Sequence, residues 1–380
     1  MKKQFAIGVL GLILFEIANV YFIMPLPGSQ RMRSIEVAYW LHSYRWWLRL
    51  AFCALIVLGA PAAWRVPGWR KALVPFALIV ALGVSYMTNF RMEADQIFLP
   101  PQTLVMQPAE RNAVALDRLV VGIALNGDAR AYPLQFIGYH HQVRDTVGGQ
   151  QVLVTYCTVC RTGRVYTPLV NGKPESFRLV GMDHFNAMLE DETTGSWWRQ
   201  ANGEAVVGEL KGMTLEEVPS VQVTLAQWLA LHPASLVMQA DEAFIDAYAA
   251  DYAFERGTSR GALTGTDTLS WRDKSWVVGL TVNGESRAYD WNRLLREHVI
   301  HDELGGAPIV LVLAGDNTSF FAFERPNATS RFALSHDSLV TATGAYDLTG
   351  RGATNELRRL RASQEFWHSW RTFQPNTTRY

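Results

Sequence analysis

Apolar residues run almost without interruption through three stretches of the first ninety or so positions, at 5–24, 47–63 and 72–88. About twenty apolar residues suffice for a helix to cross a bilayer, and the last two stretches are near the short limit. A cleaved signal peptide is the rival interpretation of the first stretch, but no small-x-small site follows Met24. We therefore predict a membrane anchor of about three transmembrane helices over residues 1–95.

The segment between the first two spans, residues 28–50, mixes arginines with Tyr and Trp, as expected at the lipid headgroups. An odd number of spans places the large C-terminal part opposite the N-terminus. Lys2 and Lys3 and the basic loop 65–71 favour a cytoplasmic N-terminus, whereas the arginines of segment 28–50 oppose it. We expect the C-terminal part to be extracytoplasmic.

Beyond residue 96 the pattern changes to short stretches with period-two alternation, which is typical of strands. Asn126-Gly127 lies between two such stretches and predicts a tight hairpin. Two further apolar runs flank a turn at residues 157–161, and residues 225–232 read as a short helix stopped by Pro233.

The pattern of residues 120–149 returns at 277–306 with twelve identical positions, among them Asn126/Asn283 and His141/His298. Such internal similarity predicts a duplicated unit. We predict an α+β, β-rich tandem-repeat ectodomain with a first domain at 96–240, a linker at 241–276, and a degenerate second copy at 277–380.

Composition excludes several functions. Lys and Arg together number 35, as do Asp and Glu, so no basic surface suggests nucleic acid. Three cysteines are too few for a disulfide-dense secreted scaffold. The sequence carries no nucleotide, flavin or c-type haem signature.

Candidate chemistry concentrates at Cys157-Thr-Val-Cys160, because the second copy has Ala314 and Asn317 at these positions. Two thiolates could bind a soft or borderline metal, Cu or Zn, with further ligands drawn from a set of histidines: His140, His141 and His184. The pair could instead exchange electrons as a dithiol and disulfide, with Arg161 favouring the thiolate. A turn and strand are expected after the pair, so a helix dipole would not activate it. A structural staple is the third interpretation.

These residues resemble the DUF3179 family, a group of bacterial and archaeal proteins of unknown function. The resemblance rests on Ala129-Arg-Ala-Tyr-Pro-Leu, Val154-Thr-Tyr-Cys157-x-x-Cys160 and Thr193-Thr-Gly-Ser-Trp, and extends from about residue 97. The commoner family corner is Cys-Pro-Leu-Cys-Gly, whereas Arg161 stands here in place of the Gly. In the histidine motif the family more commonly has Glu at the position that His141 occupies in this chain. The resemblance implies a prokaryotic protein, so that the predicted anchor would lie in the inner (cytoplasmic) membrane, and it brings no established reaction.

We predict a membrane-anchored extracytoplasmic protein that binds metal or performs thiol redox chemistry in its first copy, and whether it is an enzyme stays open. The alternative is a non-catalytic structural or partner-binding subunit of a membrane protein assembly. Its partners would be the lipid membrane and a second protein of that assembly.

Overall fold

The computed structural model describes residues 2–65, 67–342 and 344–380, so that Met1 and Val66 in the predicted anchor, and Thr343 in the predicted second copy, lie outside the described residues. Long apolar helices occupy the first ninety residues or so, and many small sheets follow. The predicted mixture of helices and strands is confirmed.

The α-helices have the following bounds: α1 Lys2–Tyr21, α2 Ile35–Ser43, α3 Arg45–Trp64, α4 Leu73–Phe90, α5 Ala94–Ile97, α6 Leu134–His140, α7 Leu225–Leu231, α8 Trp291–Glu297 and α9 Trp367–Phe373. Short 3-10 turns lie at Ser29–Arg31, Gly68–Ala72, Ala109–Arg111 and Glu242–Ala247.

The strands have these bounds: β1 Met106–Pro108, β2 Leu119–Leu125, β3 Asp128–Pro133, β4 Gln142–Val147, β5 Gln150–Cys157, β6 Thr162–Tyr166, β7 Leu169–Val170, β8 Lys173–Pro174, β9 Phe177–Asp183, β10 Asn186–Asp191, β11 Trp197–Arg199, β12 Ala205–Val207, β13 Val221–Thr224, β14 Leu236–Met238, β15 Trp276–Val282, β16 Glu285–Asp290, β17 Val299–Leu304, β18 Ala307–Leu313, β19 Phe320–Glu324, β20 Ala333–Ser335, β21 Ser338–Thr341, β22 Gly344–Asp347, β23 Arg359–Leu360, β24 Ala362–Phe366 and β25 Thr378–Arg379.

Among the described residues, three helical segments are long and apolar enough to cross a membrane: Lys2–Tyr21, Arg45–Trp64 and Gly68–Phe90. They coincide with the three apolar stretches of the sequence. Large apolar side chains on their outer faces are exposed, such as Val57 at 69% and Leu82 at 70%. Such a surface is uncommon on a water-soluble protein.

The chain folds into two compact units, and the first comprises Met1–Leu99, Ser176–Arg199 and Glu204–Met213. Besides the apolar helices, it contains a sheet with the strand order β12-β11-β10-β9. A small core forms where Ile23 and Ala38 of the N-terminal segment meet Met188, Trp197 and Val206 of this sheet.

The second unit comprises Pro100–Glu175, Gln200–Gly203 and Thr214–Tyr380. One of its larger sheets has the order β1-β14-β3-β2-β13, and another has the order β24-β15-β16-β25. The strands β4-β5-β6 and β17-β18-β19-β23 form two further sheets. The predicted hairpin at Asn126-Gly127 is confirmed, since β2 and β3 pair antiparallel and both turn residues have positive φ, 49° and 83°.

Two stretches of the second unit follow the same order of elements, β2-β3-α6-β4-β5-β6 and β15-β16-α8-β17-β18-β19. Their hydrogen bonds match as well. Tyr132 donates to Asp145 Oδ2 at 2.7 Å, and Tyr289 donates to Asp302 Oδ2 at 2.8 Å. In each stretch a short helix follows a further strand, α7 after β13 and α9 after β24.

Candidate functional site

Cys157 is the last residue of strand β5, and Cys160 lies in the turn that leads into β6. The antiparallel register pairs Cys157 with Thr162, so the turn holds residues 158–161. The predicted turn and strand after the pair are confirmed. Both cysteines are fully buried, and neither forms a disulfide in this structure.

Arg161 has a left-handed backbone, with φ 58°, which a glycine adopts more easily than any other residue. The buried guanidinium donates to Gln364 Oε1 at 2.9 Å and to the carbonyls of Phe254 and Glu255 at 2.8 and 3.0 Å. It also stacks 3.7 Å from the ring centre of Trp276. The N–H donors of Arg161 are therefore used in hydrogen bonds, and its positive charge interacts with the Trp276 ring.

The two thiols interact with each other. Burial raises the pKa of the Cys160 thiol well above its usual range, and a hydrogen bond with Cys157 raises that pKa further. A hydrogen bond that raises a pKa stabilises the protonated form. Both effects therefore favour the protonated form of Cys160.

Lys274 is the cation that faces this pair. Its Nζ donates to the carbonyl of Val159, inside the turn, at 2.7 Å, and to the carbonyl of Leu263 at 2.5 Å. Burial lowers the pKa of Lys274, and a thiolate at Cys160 or Cys157 would oppose that shift. The sequence analysis did not find Lys274. It lies in the predicted linker, far from the two cysteines in the sequence, and belongs to no motif.

Residues 365–369, around the start of α9, also contact the turn. The Phe366 N–H donates to the Cys160 carbonyl at 2.9 Å, and His368 Nε2 lies 3.2 Å from the Val159 carbonyl. Burial lowers the pKa of His368 to about 4, so that its neutral ring donates this hydrogen bond at pH 7. Ser369 donates to Glu365 at 2.7 Å, and Glu365 accepts from Arg164 at 2.7 Å. The comparison of residues 120–149 with 277–306 did not find these residues, because they lie in the predicted second copy, which has no thiols.

The two adjacent histidines have separate environments. His140 is fully buried, and its Nε2 lies 2.7 Å from the Tyr248 hydroxyl, with the Phe244 ring edge-on. His141 ends helix α6 with φ 60°, and its N–H donates to the Ile137 carbonyl at 2.9 Å. Burial lowers the pKa of His141 to about 4.

His141 shares its geometry with His298, its counterpart in the sequence. His298 has φ 56° and its N–H donates to the Leu294 carbonyl at 2.9 Å. A left-handed residue just after a helix is a common way to end it. Both histidines therefore serve as helix ends.

His184 belongs to the first unit, whereas the two cysteines belong to the second. Asp183 accepts from His184 Nδ1 and from Arg199 Nε, both at 2.6 Å. Strand alternation would point adjacent side chains to opposite faces, but His184 and Phe185 form the β9–β10 turn with φ 51° and 68°. The left-handed backbone brings the imidazole back to its neighbour.

Within residues 2–65, 67–342 and 344–380, no group of three or more His, Cys, Asp or Glu side chains is arranged to hold a metal ion. The candidate ligands Cys157 and Cys160 lie together. His140, His141 and His184 have the separate contacts described above.

The fold and the site define a class of protein: an α+β chain with three helices of membrane-spanning length and a buried pair of thiols at a strand turn. The family model described as "Protein of unknown function (DUF3179)" matches residues 102–377, and the chain belongs to this family. No curated protein and no solved structure matches it.

Proposed function

We propose that this chain is a membrane-anchored protein that performs dithiol–disulfide chemistry at Cys157 and Cys160, with its second unit on the extracytoplasmic side of a prokaryotic inner membrane. The anchor is supported by the three apolar helices and by their exposed apolar faces. Inside the helix cluster, Arg49 pairs with Glu16 at 2.7 Å and Asn89 donates to Glu16 at 3.0 Å. Charges within a membrane usually face such an interior and pair there.

We also propose that the second unit contains two copies of one ancestral unit. The matched order of elements supports this, as do the matched hydrogen bonds from Asn126 to the Gly148 carbonyl and from Asn283 to the Gly305 carbonyl, both 2.9 Å. Only the first copy has thiols. The second copy contributes the residues that cover them.

The observation that carries the redox proposal is the placement of two buried thiols at one turn, with Lys274 bonded to the backbone of the same turn. A redox pair needs only two adjacent sulfurs, whereas a structural zinc site needs four ligands. In the reduced state Cys160 holds its proton, and Cys157 would be the attacking sulfur. Lys274 would stabilise a negative charge that forms there.

The proposed reaction is thiol–disulfide exchange with a partner disulfide. The Cys157 thiolate attacks one sulfur of that disulfide, the S–S bond breaks, and the leaving thiolate takes up a proton. Cys160 then loses its proton to solvent and attacks Cys157 Sγ, which forms the internal disulfide and releases the second thiol of the partner. Because both sulfurs are buried, the covering residues 365–369 must first open locally.

The experiment uses the full chain in mild detergent with Cys53→Ser, which leaves two thiols. Thiols are counted after equilibration in mixtures of reduced and oxidised glutathione. We expect both thiols to disappear in one two-electron transition and to return with dithiothreitol. Two thiols that stay reduced under oxidised glutathione, or a pair that cannot be reduced in the folded protein, would contradict the proposal.

Metal binding is a second proposal, favoured by the position of Lys274, whose charge would offset that of two thiolates on a Cu(I) ion. Elemental analysis of the same sample tests it. Stoichiometric Cu or Zn that is lost in the Cys157→Ser/Cys160→Ser variant would favour a metal site. Metal in neither sample would rule it out for the purified protein.

A structural or partner-binding role is the alternative from another class, and the complete burial of both thiols favours it. A protein that copurifies stoichiometrically in mild detergent, with thiols that never titrate, is the outcome that would favour this alternative over redox chemistry.

A further inference from the structure

A second site lies in a groove of the second unit, with a volume of 580 Å³. The turn of the β15–β16 hairpin, residues 201–202 and residues 358–361 line it. Its lining contains one carboxylate, Glu217, and four guanidinium groups: Arg164, Arg358, Arg359 and Arg361. The groove is therefore rich in positive charge.

Two of these arginines lie at the surface and form exposed ion pairs. Arg361 lies 3.1 Å from Glu217, and Arg358 pairs with Glu324. Their side chains are 60% and 63% exposed. Exposed ion pairs contribute little stability because water screens them. Both guanidinium groups can therefore turn from these partners to a ligand at small cost.

Arg359 has an unusual electrostatic environment. Its Nη2 is buried and has no hydrogen-bond partner among the described residues. Burial lowers its pKa to about 10, and no carboxylate of the described residues opposes that shift. Its guanidinium lies 5.2 Å from the ring centre of Phe321. Buried charges in proteins are almost always paired, and within the described part of the chain this nitrogen has no such partner.

The rest of the lining supplies neutral hydrogen-bonding groups: Asn202, Thr281, Asn283, Ser363 and Gln374. We propose that this groove binds a small polar anion that carries carboxylate or phosphate groups. A guanidinium group can donate two parallel hydrogen bonds to a carboxylate or a phosphate group. The volume lies in the range of small-molecule sites, roughly 300–1,000 Å³.

The test is isothermal titration calorimetry on the full chain in detergent, with citrate and with inorganic phosphate as probes. Sodium chloride at the same ionic strength serves as the reference, since screening alone weakens any electrostatic contact. We expect saturable binding of one of the two probes. The two probes distinguish a carboxylate ligand from a phosphate ligand.

The informative variant is Arg358→Gln/Arg361→Gln, which removes two exposed charges and leaves the core unchanged. It should weaken binding at least about tenfold, since each lost charged hydrogen bond has an effect of that order. The matched control is Arg256→Gln, since Arg256 is 62% exposed, pairs with Asp117 and does not line the groove. This control should bind like the unchanged protein.

Absence of saturable binding of both probes would overturn the proposal, as would equal weakening in the Arg256→Gln control. Binding is also expected to persist in Cys157→Ser/Cys160→Ser, since neither cysteine lines the groove. The test of the groove is therefore independent of the test of the redox proposal.

Discussion

At the scale of single residues, several side chains of the candidate site sit on left-handed backbone. Arg161, His141 and His184 all have φ between 51° and 60°. This conformation costs roughly 1–2 kcal/mol for a residue with a Cβ atom. Gly or Asn at such a position allows a left-handed backbone to be predicted from the sequence, whereas Arg or His does not.

Arg161 allows a direct test of this cost. Arg161→Gly relieves the backbone but loses the guanidinium contacts, whereas Arg161→Ala loses the same contacts and keeps the unfavourable φ. We expect both variants to be destabilised, with Ala worse than Gly by about 1 kcal/mol. Thermal unfolding of the full chain in detergent measures the order, and equal stabilities would contradict the role of the backbone.

Two histidines should make stability depend on pH. Burial lowers the pKa of both His141 and His368 from 6.5 to about 4, so the unfolded chain binds more protons between those values. Stability should be full above pH 6.5 and fall as the pH drops towards 4. Each histidine contributes up to about 3 kcal/mol to that loss.

The matched variants keep the hydrogen bonds and remove the titration. His141→Asn retains an amide near the Tyr139 carbonyl and tolerates φ 60°, and His368→Gln retains a donor to the Val159 carbonyl. The double variant should show a flatter dependence of unfolding temperature on pH between 6.5 and 4. An unchanged slope would mean that other groups cause the acid sensitivity.

At the scale of elements, local signals were enough for the hairpin at Asn126-Gly127, the helix from Leu225 and the turn at the cysteines. Each depends on residues that are neighbours in the chain. The residues that pack over the thiols could not be predicted in this way. Lys274 and Glu365 approach Cys160 only when distant segments of the chain pack together. Neither residue belongs to a recognisable motif.

Two glycines test the proposed duplication of elements. A Cβ atom on Gly122 would lie 2.3 Å from the Trp228 ring, and one on Gly279 would lie 2.2 Å from the Trp370 ring. Gly122→Ala and Gly279→Ala should each destabilise the protein by about 1–3 kcal/mol through overpacking. Gly344→Ala is the control, because nothing lies within 4 Å of its added carbon. If either ring site tolerates Ala as well as Gly344 does, the two tryptophans do not play equivalent roles.

At the scale of the whole molecule, hydropathy predicted the positions of the apolar helices but not the segments that pack against the N-terminal part of the chain. Residues 176–199 and 204–213, which lie inside the predicted first domain, belong to the same compact unit as the N-terminal segment. Trp197, for example, packs edge-on against Tyr39 at 5.2 Å. Nothing local in the sequence of β9–β12 indicates a partner so far back along the chain.

This organisation predicts how a truncated protein behaves. A fragment of residues 96–380 would expose the face of the β9–β12 sheet that packs against Ile23 and Ala38 in the full chain. We expect trypsin to cut the fragment rapidly after Arg199 and Lys211, because local opening sets the rate of cleavage. The full chain in detergent should resist cleavage there, and Arg144 in strand β4 of the second unit should be equally protected in both. Equal protection of all three sites would show that the sheet is stable without the N-terminal helices, and that an isolated 96–380 fragment is a sound sample for the thiol measurements.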